Sequence, residues 1–343
     1  MRVNGPTTID DLEARLSDPS PAATDALARC PGDVIVLGAG GKMGPSLTRM
    51  VRRAADVAGS TRRVIAVSRF SSPAVPDDLT SHGVEVIRAD LADPDAWASL
   101  PDAPNVVYML GQKFGTQGFP ERTWHINTAV AAFAAARYRH ARVVAFSTGN
   151  VYPLVPAPGR GSRESDPPQP VGEYAQSCLG RERAFEYAAT TWGTRVALFR
   201  LNYAVDLRYG VLVDLALKVQ QRQSIDLAMG WFNCIWQGDA NALAIASLGD
   251  ARTPATISNC TGAATLSVRA TATALGERLG VPVTFTGTEQ PTALLSDAAP
   301  LIARHGPLRV PADTLIDWVA TWVGRGGTTS GKPTHFEQRE GQF

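Results

Sequence analysis

Short apolar runs recur along the first 200 residues, and helical patterns separate the later runs from one another. The runs are residues 34–37, 64–67, 84–87, 105–110, 142–146 and 195–200. Continuous runs of this length, rich in Val and Ile, are typical of strands that are buried on both faces of a parallel sheet. The alternation of these runs with helical patterns predicts an α/β fold with a doubly wound parallel sheet.

A glycine-rich loop follows the first run. It reads Gly38-Ala39-Gly40-Gly41-Lys42-Met43-Gly44 and leads into a helical pattern that continues to about residue 58. Glycines at this spacing allow a tight turn, a close approach of the backbone to a pyrophosphate, and close packing of helix on strand. The loop has no Lys-Ser/Thr pair after its last glycine, which disfavours a P-loop nucleotidase. The alternative to nucleotide binding is a simple glycine turn, and the position after the first strand favours the nucleotide.

The second run ends at Ser68-Arg69, where an NAD site usually places an acidic residue for the ribose hydroxyls. A serine and an arginine instead suit a 2′-phosphate, so we expect NADP in preference to NAD. A solvated arginine at a strand end is the alternative. After the third run, Asp90 is a candidate contact for the adenine amino group or a cap for the next helix. Leu91, Leu110 and Gly111 complete the predicted cofactor pocket.

The rhythm changes after residue 150. We predict a helical extension at residues 1–32, with Thr8 capping a helix at 8–17, followed by a Pro/Ser/Ala-rich segment. The dinucleotide-binding domain is predicted to comprise 33–201 and about 235–262. A smaller C-terminal substrate domain is predicted from about 202–234 and 263–323. The remaining residues, 324–343, form a tail that is either mobile or laid across a surface.

Composition limits the partners and the compartment. The net charge of +1 argues against a nucleic-acid or anionic-membrane surface, and the N-terminus has no apolar signal core. The four cysteines are widely dispersed, which suggests a reducing compartment, so we expect a cytoplasmic protein without a metal site. Only four of the 33 basic residues are lysines, at positions 42, 113, 218 and 332.

With these motifs in order, residues 33–320 resemble the extended short-chain dehydrogenase/reductase family, the NAD-dependent epimerase/dehydratase group. The resemblance rests on the glycine loop together with Asp90-Leu91, Asn127, Ser147–Tyr152, Tyr174 and Arg200–Asn202. It implies a Rossmann-type sheet with a C-terminal substrate domain, a small sugar-like polyhydroxylated substrate, and a homodimer formed through helices near 122–138 and 172–192.

The resemblance also implies a catalytic Ser/Thr and Tyr. Thr148 takes the position that orients the reacting oxygen, although a strand-end hydroxyl bonded to local backbone is the alternative. Related dehydratases carry Asp-Glu directly after this residue, whereas here the pair is Gly149-Asn150, which makes sugar dehydration an unfavourable interpretation. Tyr174 takes the position of the acid/base. Asn150, Asn202 and Arg208 are candidate substrate contacts, and Asn233 and two tryptophans, 231 and 236, are either further contacts or core.

Cys178 occupies the position, four residues after Tyr174, where the family has its lysine. A neutral thiol supplies neither a positive charge nor strong donors. Three interpretations stay open: another cation, with Lys113 the leading candidate, replaces the lysine; Tyr174 suffices as a proton donor; or the site binds ligand without redox turnover. A nucleophilic role for Cys178 would need a lowered pKa, and a buried inert thiol is the simpler interpretation.

Two histidines complete the set of candidates. His125 lies on the helix after the fourth strand and is expected to be packed or at an interface. His335 lies in the tail, which either folds over the active site of its own or a partner subunit or is disordered.

Overall fold

The computed structural model describes residues 4–113 and 118–341, and a parallel sheet of seven strands lies at its centre. Its strands are β1 (Val34–Leu37), β2 (Val64–Ser68), β3 (Glu85–Arg88), β4 (Asn105–Tyr108), β5 (Arg142–Thr148), β6 (Arg195–Leu201) and β7 (Thr256–Cys260). The order across the sheet is β7-β6-β5-β4-β1-β2-β3, and every neighbouring pair is parallel. The prediction of a doubly wound Rossmann-type sheet is confirmed. The strand order reverses direction between β1 and β4, where such sheets have their ligand crevice.

Helices cover both faces of the sheet and form the smaller C-terminal domain. They are α1 (Ile9–Leu16), α2 (Pro21–Arg29), α3 (Gly44–Val57), α4 (Ala74–Ser81), α5 (Pro120–Trp124), α6 (Val130–Arg137), α7 (Gly172–Trp192), α8 (Val211–Gln220), α9 (Gln237–Ala246), α10 (Val268–Leu279), α11 (Ala299–His305) and α12 (Ala312–Gly324). One π-helical turn, His125–Ala129, joins α5 to α6. Two-residue strands at 155–156, 204–205, 225–226, 231–232, 235–236, 266–267, 285–286 and 292–293 pair among themselves.

Two apolar cores hold these helices against the sheet. On one face, α2, α3 and α9 pack through residues such as Leu27, Leu47 and Ile245. On the other face, α6 and α7 pack through residues such as Val130 and Phe185. A third core lies in the C-terminal domain, where α8, α10 and α12 contact one another. Because β7 and α9 return to the sheet after α8, the chain crosses between the two domains more than once.

The N-terminal helices belong to this packing. Thr8 caps α1 as predicted, since its side chain accepts a hydrogen bond from the Asp11 amide. The segment after α1 contains the additional helix α2, which begins at Pro21 with Ser20 as its N-cap. A serine followed by a proline commonly begins a helix, and this pair is the sequence feature that indicates the start of α2. Helix α2 packs on α9, whereas α1 contributes Leu12 and Leu16 to the core of the C-terminal domain.

Candidate active site

The glycine loop connects β1 to α3 at the centre of the crevice. Gly38 has a φ of +90°, and a Cβ at Gly44 would lie 2.3 Å from the Ala39 carbonyl oxygen. Larger residues at these positions would clash or strain the turn. Helix α3 begins at Gly44 without a side-chain cap, and the positive end of its dipole lies at the glycine loop. The loop therefore has the shape and the dipole direction that a pyrophosphate needs.

A pocket of about 550 Å³ opens on one side of this loop. It is lined by most of the predicted cofactor residues, Gly38, Gly40, Gly41, Ser68, Arg69, Asp90, Leu91, Leu110 and Gly111. Arg69 Nη1 lies 3.8 Å from Asp90 Oδ2, and both side chains are exposed. The structure thus brings the ends of β2, β3 and β4 to one pocket, as the parallel sheet requires.

A second cavity, of about 280 Å³, lies on the other side of the loop. Its lining contains most of the remaining predicted residues, Lys42, Met43, Gly44, Lys113, Thr148, Asn150, Tyr174 and Asn202. Asn202 is buried and donates from Nδ2 to Asn233 Oδ1 at 3.1 Å. Asn233 therefore lies behind the cavity wall, and its hydrogen bond holds the side chain of Asn202 in one orientation.

The hydroxyl groups of Tyr174 and Thr148 meet in this cavity. The Tyr174 hydroxyl is hydrogen-bonded to the Thr148 side chain and to the Cys178 thiol. Thr148 Oγ1 also donates to Asn150 Oδ1 at 3.1 Å, so it bonds its local loop as well as Tyr174. Burial raises the pKa of Tyr174 well above its usual value. The phenol is therefore protonated at neutral pH and can donate a proton.

Cys178 is fully buried beneath Tyr174 and packs with Val151 and Tyr152. Burial raises the pKa of the Cys178 thiol above its usual value, and the nearby guanidinium of Arg181 opposes this shift. The thiolate is the reactive form of cysteine, so a raised pKa disfavours a nucleophilic role. All four cysteines are buried and unpaired by disulfides.

Two lysines carry positive charge to the cavity. Lys113 donates from Nζ to the Thr334 carbonyl oxygen at 3.3 Å, and burial lowers its pKa to about 8. Lys42 is exposed as a whole residue, but its ammonium lies 3.5 Å from the centroid of the Tyr209 ring. Withdrawal of this ammonium from water lowers the pKa of Lys42 to about 8, while Asp206 and Asp214 favour its charge. The pKa of each ammonium group therefore lies close to neutral pH.

Arg181 is a buried cation that the sequence motifs did not single out. It lies on α7, seven residues after Tyr174, and donates to the Asn127 carbonyl and to Asn127 Oδ1, at 3.2 Å and 2.7 Å. It also donates to the Phe146 carbonyl oxygen at 2.9 Å. Its charge lowers the pKa of both Tyr174 and Cys178, against the stronger effect of burial. Its spacing along α7 was the only sequence signal, because i and i+7 lie on one helix face.

A buried ion pair holds the frame of this site. Arg200 on β6 forms two hydrogen bonds to Glu182 on α7, at 2.8 Å and 2.6 Å. Glu182 also accepts from Ser147 at 2.5 Å, and Arg200 donates to the Tyr152 hydroxyl at 2.6 Å. The ends of β5 and β6 are therefore fixed to α7, which carries Tyr174.

Several candidates lie outside the cavity. Arg208 forms ion pairs with Asp206 and Glu13 and lines an adjacent cavity of about 810 Å³, not the cavity that contains Tyr174, and its contact with a substrate stays a prediction. Trp236 stacks edge-on against Trp318, and Trp231 and Trp236 belong to the core of the C-terminal domain, which supports their alternative interpretation.

Neither histidine candidate lines the catalytic cavity. His125 Nε2 is hydrogen-bonded to the Ala92 carbonyl and its ring packs against Phe133, as expected of a packed histidine. His335 is exposed in the tail. Among residues 4–113 and 118–341, no group of His, Cys, Asp and Glu side chains could hold a metal ion. Within those same ranges, no helix is both long and apolar enough to cross a bilayer.

A dinucleotide fits the residues present. The glycine positions form a cradle that Cβ atoms would fill, and the two pockets share Gly38 and Gly41 at its centre. The first pocket would hold the adenosine half and the second the nicotinamide half beside Tyr174. The sheet, the loop and the Thr/Tyr pair together define a protein of the extended short-chain dehydrogenase/reductase class.

Comparison with known proteins names the family. The model of the NAD dependent epimerase/dehydratase family matches residues 34–205, and the chain belongs to that family, whose members include epimerases and dehydratases. No curated protein sequence matches the chain significantly.

Solved structures share the fold at low identity. UDP-glucuronic acid 4-epimerase from Bacillus cereus, in complex with NAD, superposes with a TM-score of 0.70 at 15% identity, over 85% of this chain and 99% of that one. UDP-glucose 4-epimerase from Thermotoga maritima gives 0.69 at 14% identity, over 85% and 99%. dTDP-glucose 4,6-dehydratase from Bacillus anthracis gives 0.71 at 13% identity, over 86% and 97%. At these identities the likeness establishes the fold.

Proposed function

We propose that this protein is an NAD(P)-dependent epimerase or oxidoreductase that acts on a sugar nucleotide or a similar polyhydroxylated molecule. The observation that carries the proposal is the hydrogen-bonded pair Thr148 and Tyr174 in a cavity that shares its glycine loop with a dinucleotide-shaped pocket. Structural relatives that are epimerases of UDP-sugars, some of them in complex with NAD, support the choice of substrate class.

Each side chain of the cavity has a defined task in this proposal. The Tyr174 hydroxyl gives a proton to, or takes one from, the sugar oxygen at the reacting carbon, and Thr148 orients that oxygen by a hydrogen bond. The nicotinamide cofactor, when bound, supplies the hydride acceptor or donor. Asn150 and Asn202 present amides to the remaining hydroxyls. Gly149 and Asn150 provide no carboxylic acid, which favours epimerisation or reduction over loss of water.

A cation must take the place of the family lysine. We propose Lys113 for this role, because it lines the same cavity as Tyr174 and because its charge acts on Cys178. A positive charge here favours the phenolate form of Tyr174 whenever its proton is transferred. Lys42 and Arg181 add positive charge from the glycine loop and from α7.

We also propose that NADP is preferred over NAD. Arg69 and Ser68 line the adenosine pocket at the end of β2, where a 2′-phosphate would lie. The exposed guanidinium of Arg69 offers a charged fork to that phosphate. Asp90 lies close to Arg69 and also faces the pocket, so the preference depends on which of the two side chains contacts the ribose.

A second candidate function is cofactor binding without turnover. It is favoured by the strongly raised pKa of Tyr174 together with the neutral thiol in the lysine position. In that case the protein would act as a sensor or a structural partner and the bound cofactor would never change its redox state.

The experiment that separates the two functions uses the purified chain, NADP or NAD, and UDP-glucose or UDP-glucuronic acid. Nicotinamide absorbance reports the redox state of the cofactor, and proton NMR reports the configuration of the sugar. An enzyme produces reduced cofactor or a sugar epimer, and the Tyr174→Phe variant does not. A cofactor that binds but stays unchanged, with every sugar nucleotide also keeping its configuration, would reject the enzymatic proposal.

We propose that the protein is a homodimer and that it acts in the cytoplasm. Helices α5 and α7 expose the aromatic side chains Trp124, Tyr187 and Trp192, at 37%, 58% and 37%, which an interface through these helices would cover. Light scattering after size exclusion is expected to give twice the mass of the chain. A monomer over the micromolar range would exclude this interface.

A further inference from the structure

The chain continues after α12 and returns to the catalytic cavity. We call residues 325–341 the C-terminal segment. Trp322 Nε1 donates to the Thr328 carbonyl oxygen at 3.0 Å, and the Ser330 amide donates to the Arg208 carbonyl oxygen at 2.9 Å. These contacts turn the C-terminal segment away from α12 and lead it over the surface of the C-terminal domain toward the glycine loop.

The C-terminal segment is anchored by side chains on both sides of residue 334. Phe336 is 1% exposed and packs against Phe232 in the core of the C-terminal domain. Glu337 forms an ion pair with Lys218 on α8. Arg339 donates to the carbonyl oxygens of Thr292 and Ala228, at 2.8 Å and 3.0 Å. A segment with these anchors is part of the folded structure.

Between the anchors, Thr334 enters the wall of the catalytic cavity. Asp214 Oδ2, on α8, accepts hydrogen bonds from both the amide and the hydroxyl of Thr334, at 2.8 Å and 2.6 Å. The carbonyl oxygen of Thr334 accepts from Lys113 Nζ at 3.3 Å. Thr334 is 3% exposed and lines the same cavity as Tyr174 and Thr148.

We propose that the C-terminal segment completes the active site: Thr334, fixed by Asp214, is a positioning residue that holds the Lys113 ammonium at the wall of the cavity that contains Tyr174. This proposal rests on the proposed function for the role of Lys113 in catalysis, but the geometry of the contact does not depend on turnover. It assigns a function to residues that lie outside the matched part of the family model, residues 34–205.

The physical reason is the flexibility of lysine. Its ammonium sits on four rotatable carbons, and immobilising such a side chain costs rotamer entropy. A family lysine on α7 would be held by its helix, whereas Lys113 follows β4 in an irregular loop. A fixed acceptor on the opposite wall restricts Lys113 before the substrate arrives, and the same wall excludes water from it.

The test measures the ionisation of Lys113 directly. A chain that ends at Gly331 lacks Thr334 and all later residues, and it retains only Lys42, Lys113 and Lys218. Acylation with a dilute anhydride at a series of pH values, read by peptide mass spectrometry, gives an apparent pKa for each lysine. The full chain is expected to give about 8 for Lys113. In the shortened chain the Lys113 ammonium is more exposed to water, and its apparent pKa is expected to rise toward the ordinary lysine value of about 10.4.

Asp214, Lys42 and Cys178 are ionisable groups that act electrostatically on Lys113, and all three are present in both chains. Glu337→Gln is the matched control, because it weakens the anchor at Lys218 and leaves the contacts of Thr334 in place. We expect the apparent pKa of Lys113 in this control to equal that of the full chain.

Thr334→Pro is the second variant, should the shortened chain not fold by circular dichroism. This substitution removes both hydrogen-bond donors to Asp214 and leaves the later anchors in the chain. It is expected to raise the apparent pKa of Lys113, as the shortened chain does. A folded variant in which the apparent pKa of Lys113 equals that of the full chain would overturn the proposal. Failure of the proposed function would show separately, as a full chain in which neither the bound cofactor nor the configuration of any sugar nucleotide changes.

Discussion

The two halves of the crevice are built in different ways. In the adenosine half, the glycine loop and the ends of β2 and β3 come from consecutive strands of the sheet, and the glycine loop follows the pattern of the family. In the catalytic half, Thr148 and Tyr174 follow that pattern, whereas the cations come from Lys42, Lys113 and Arg181. The lysine position itself is occupied by the buried thiol of Cys178.

This difference shows which part of a site the fold determines. A pyrophosphate cradle depends on backbone geometry, so the positions of its glycines are fixed by the turn between β1 and α3. A positive charge near Tyr174 can come from any element that reaches the cavity, because electrostatic interactions do not require one backbone position. In the function proposed above, the catalytic half uses cations from other elements in place of the family lysine while the fold remains the same.

The largest expected effect belongs to Tyr174. Tyr174→Phe removes the hydroxyl that is hydrogen-bonded to Thr148 and that the proposed mechanism uses for proton transfer, and it is expected to lower kcat by about 10²–10⁴-fold. Binding of NADPH should change little, because the adenosine pocket is untouched. Steady-state kinetics and a fluorescence titration measure the two quantities. Full retained turnover would remove Tyr174 from the mechanism.

The pH profile tests the substitute cation. The ammonium of Lys113 is charged below its pKa of about 8, so activity that needs this charge falls as the pH rises through 8. Lys113→Arg keeps its charge throughout that range and is expected to move this limb of kcat/KM upward by at least one pH unit. Lys42→Arg is the matched control, because Lys42 has a similar pKa. If only the Lys42 variant moves the high-pH fall of kcat/KM upward, Lys113 is not the substitute cation.

The adenosine half is tested at Arg69. Arg69→Ala is expected to weaken the binding of NADPH roughly ten-fold, since a hydrogen bond to a charged group contributes about 1.5–3 kcal/mol and this site is exposed. Binding of NADH should change less than two-fold. Equal losses for both cofactors would reject a contact between Arg69 and the 2′-phosphate.

The smallest expected effect belongs to Cys178. Because its thiol is buried and has a raised pKa, Cys178→Ala is expected to keep kcat within about three-fold of the original value. The small cavity should lower the free energy of unfolding by about 1 kcal/mol, as measured by denaturant titration. Loss of activity in a stably folded variant would show that the thiol takes part in the chemistry.

Sequence reasoning found the sheet and the glycine loop because each depends on a local pattern of residues, and the resemblance to the family pointed to Thr148 and Tyr174. It did not find α2, although Ser20 and Pro21 carry a start signal, because that segment has a loop-like composition. It named Lys113 as the leading candidate for the substitute cation, with a solvated loop lysine as the alternative, and did not single out Arg181. Contacts such as Lys113 with Thr334 join residues 221 positions apart, and only the packing of α8 and the C-terminal segment brings them together. Arg208, in contrast, was a candidate from the sequence, but Glu13 and Asp206 hold its side chain at a cavity other than the one that contains Tyr174.

The most direct test of the central claim is a titration of the purified protein with NADPH and NADH, followed by nicotinamide fluorescence after any bound cofactor has been removed. We predict saturable binding of both dinucleotides, with NADPH bound more tightly. Binding of neither would contradict the claim that this crevice is a nicotinamide dinucleotide site, and the enzymatic proposal would fall with it.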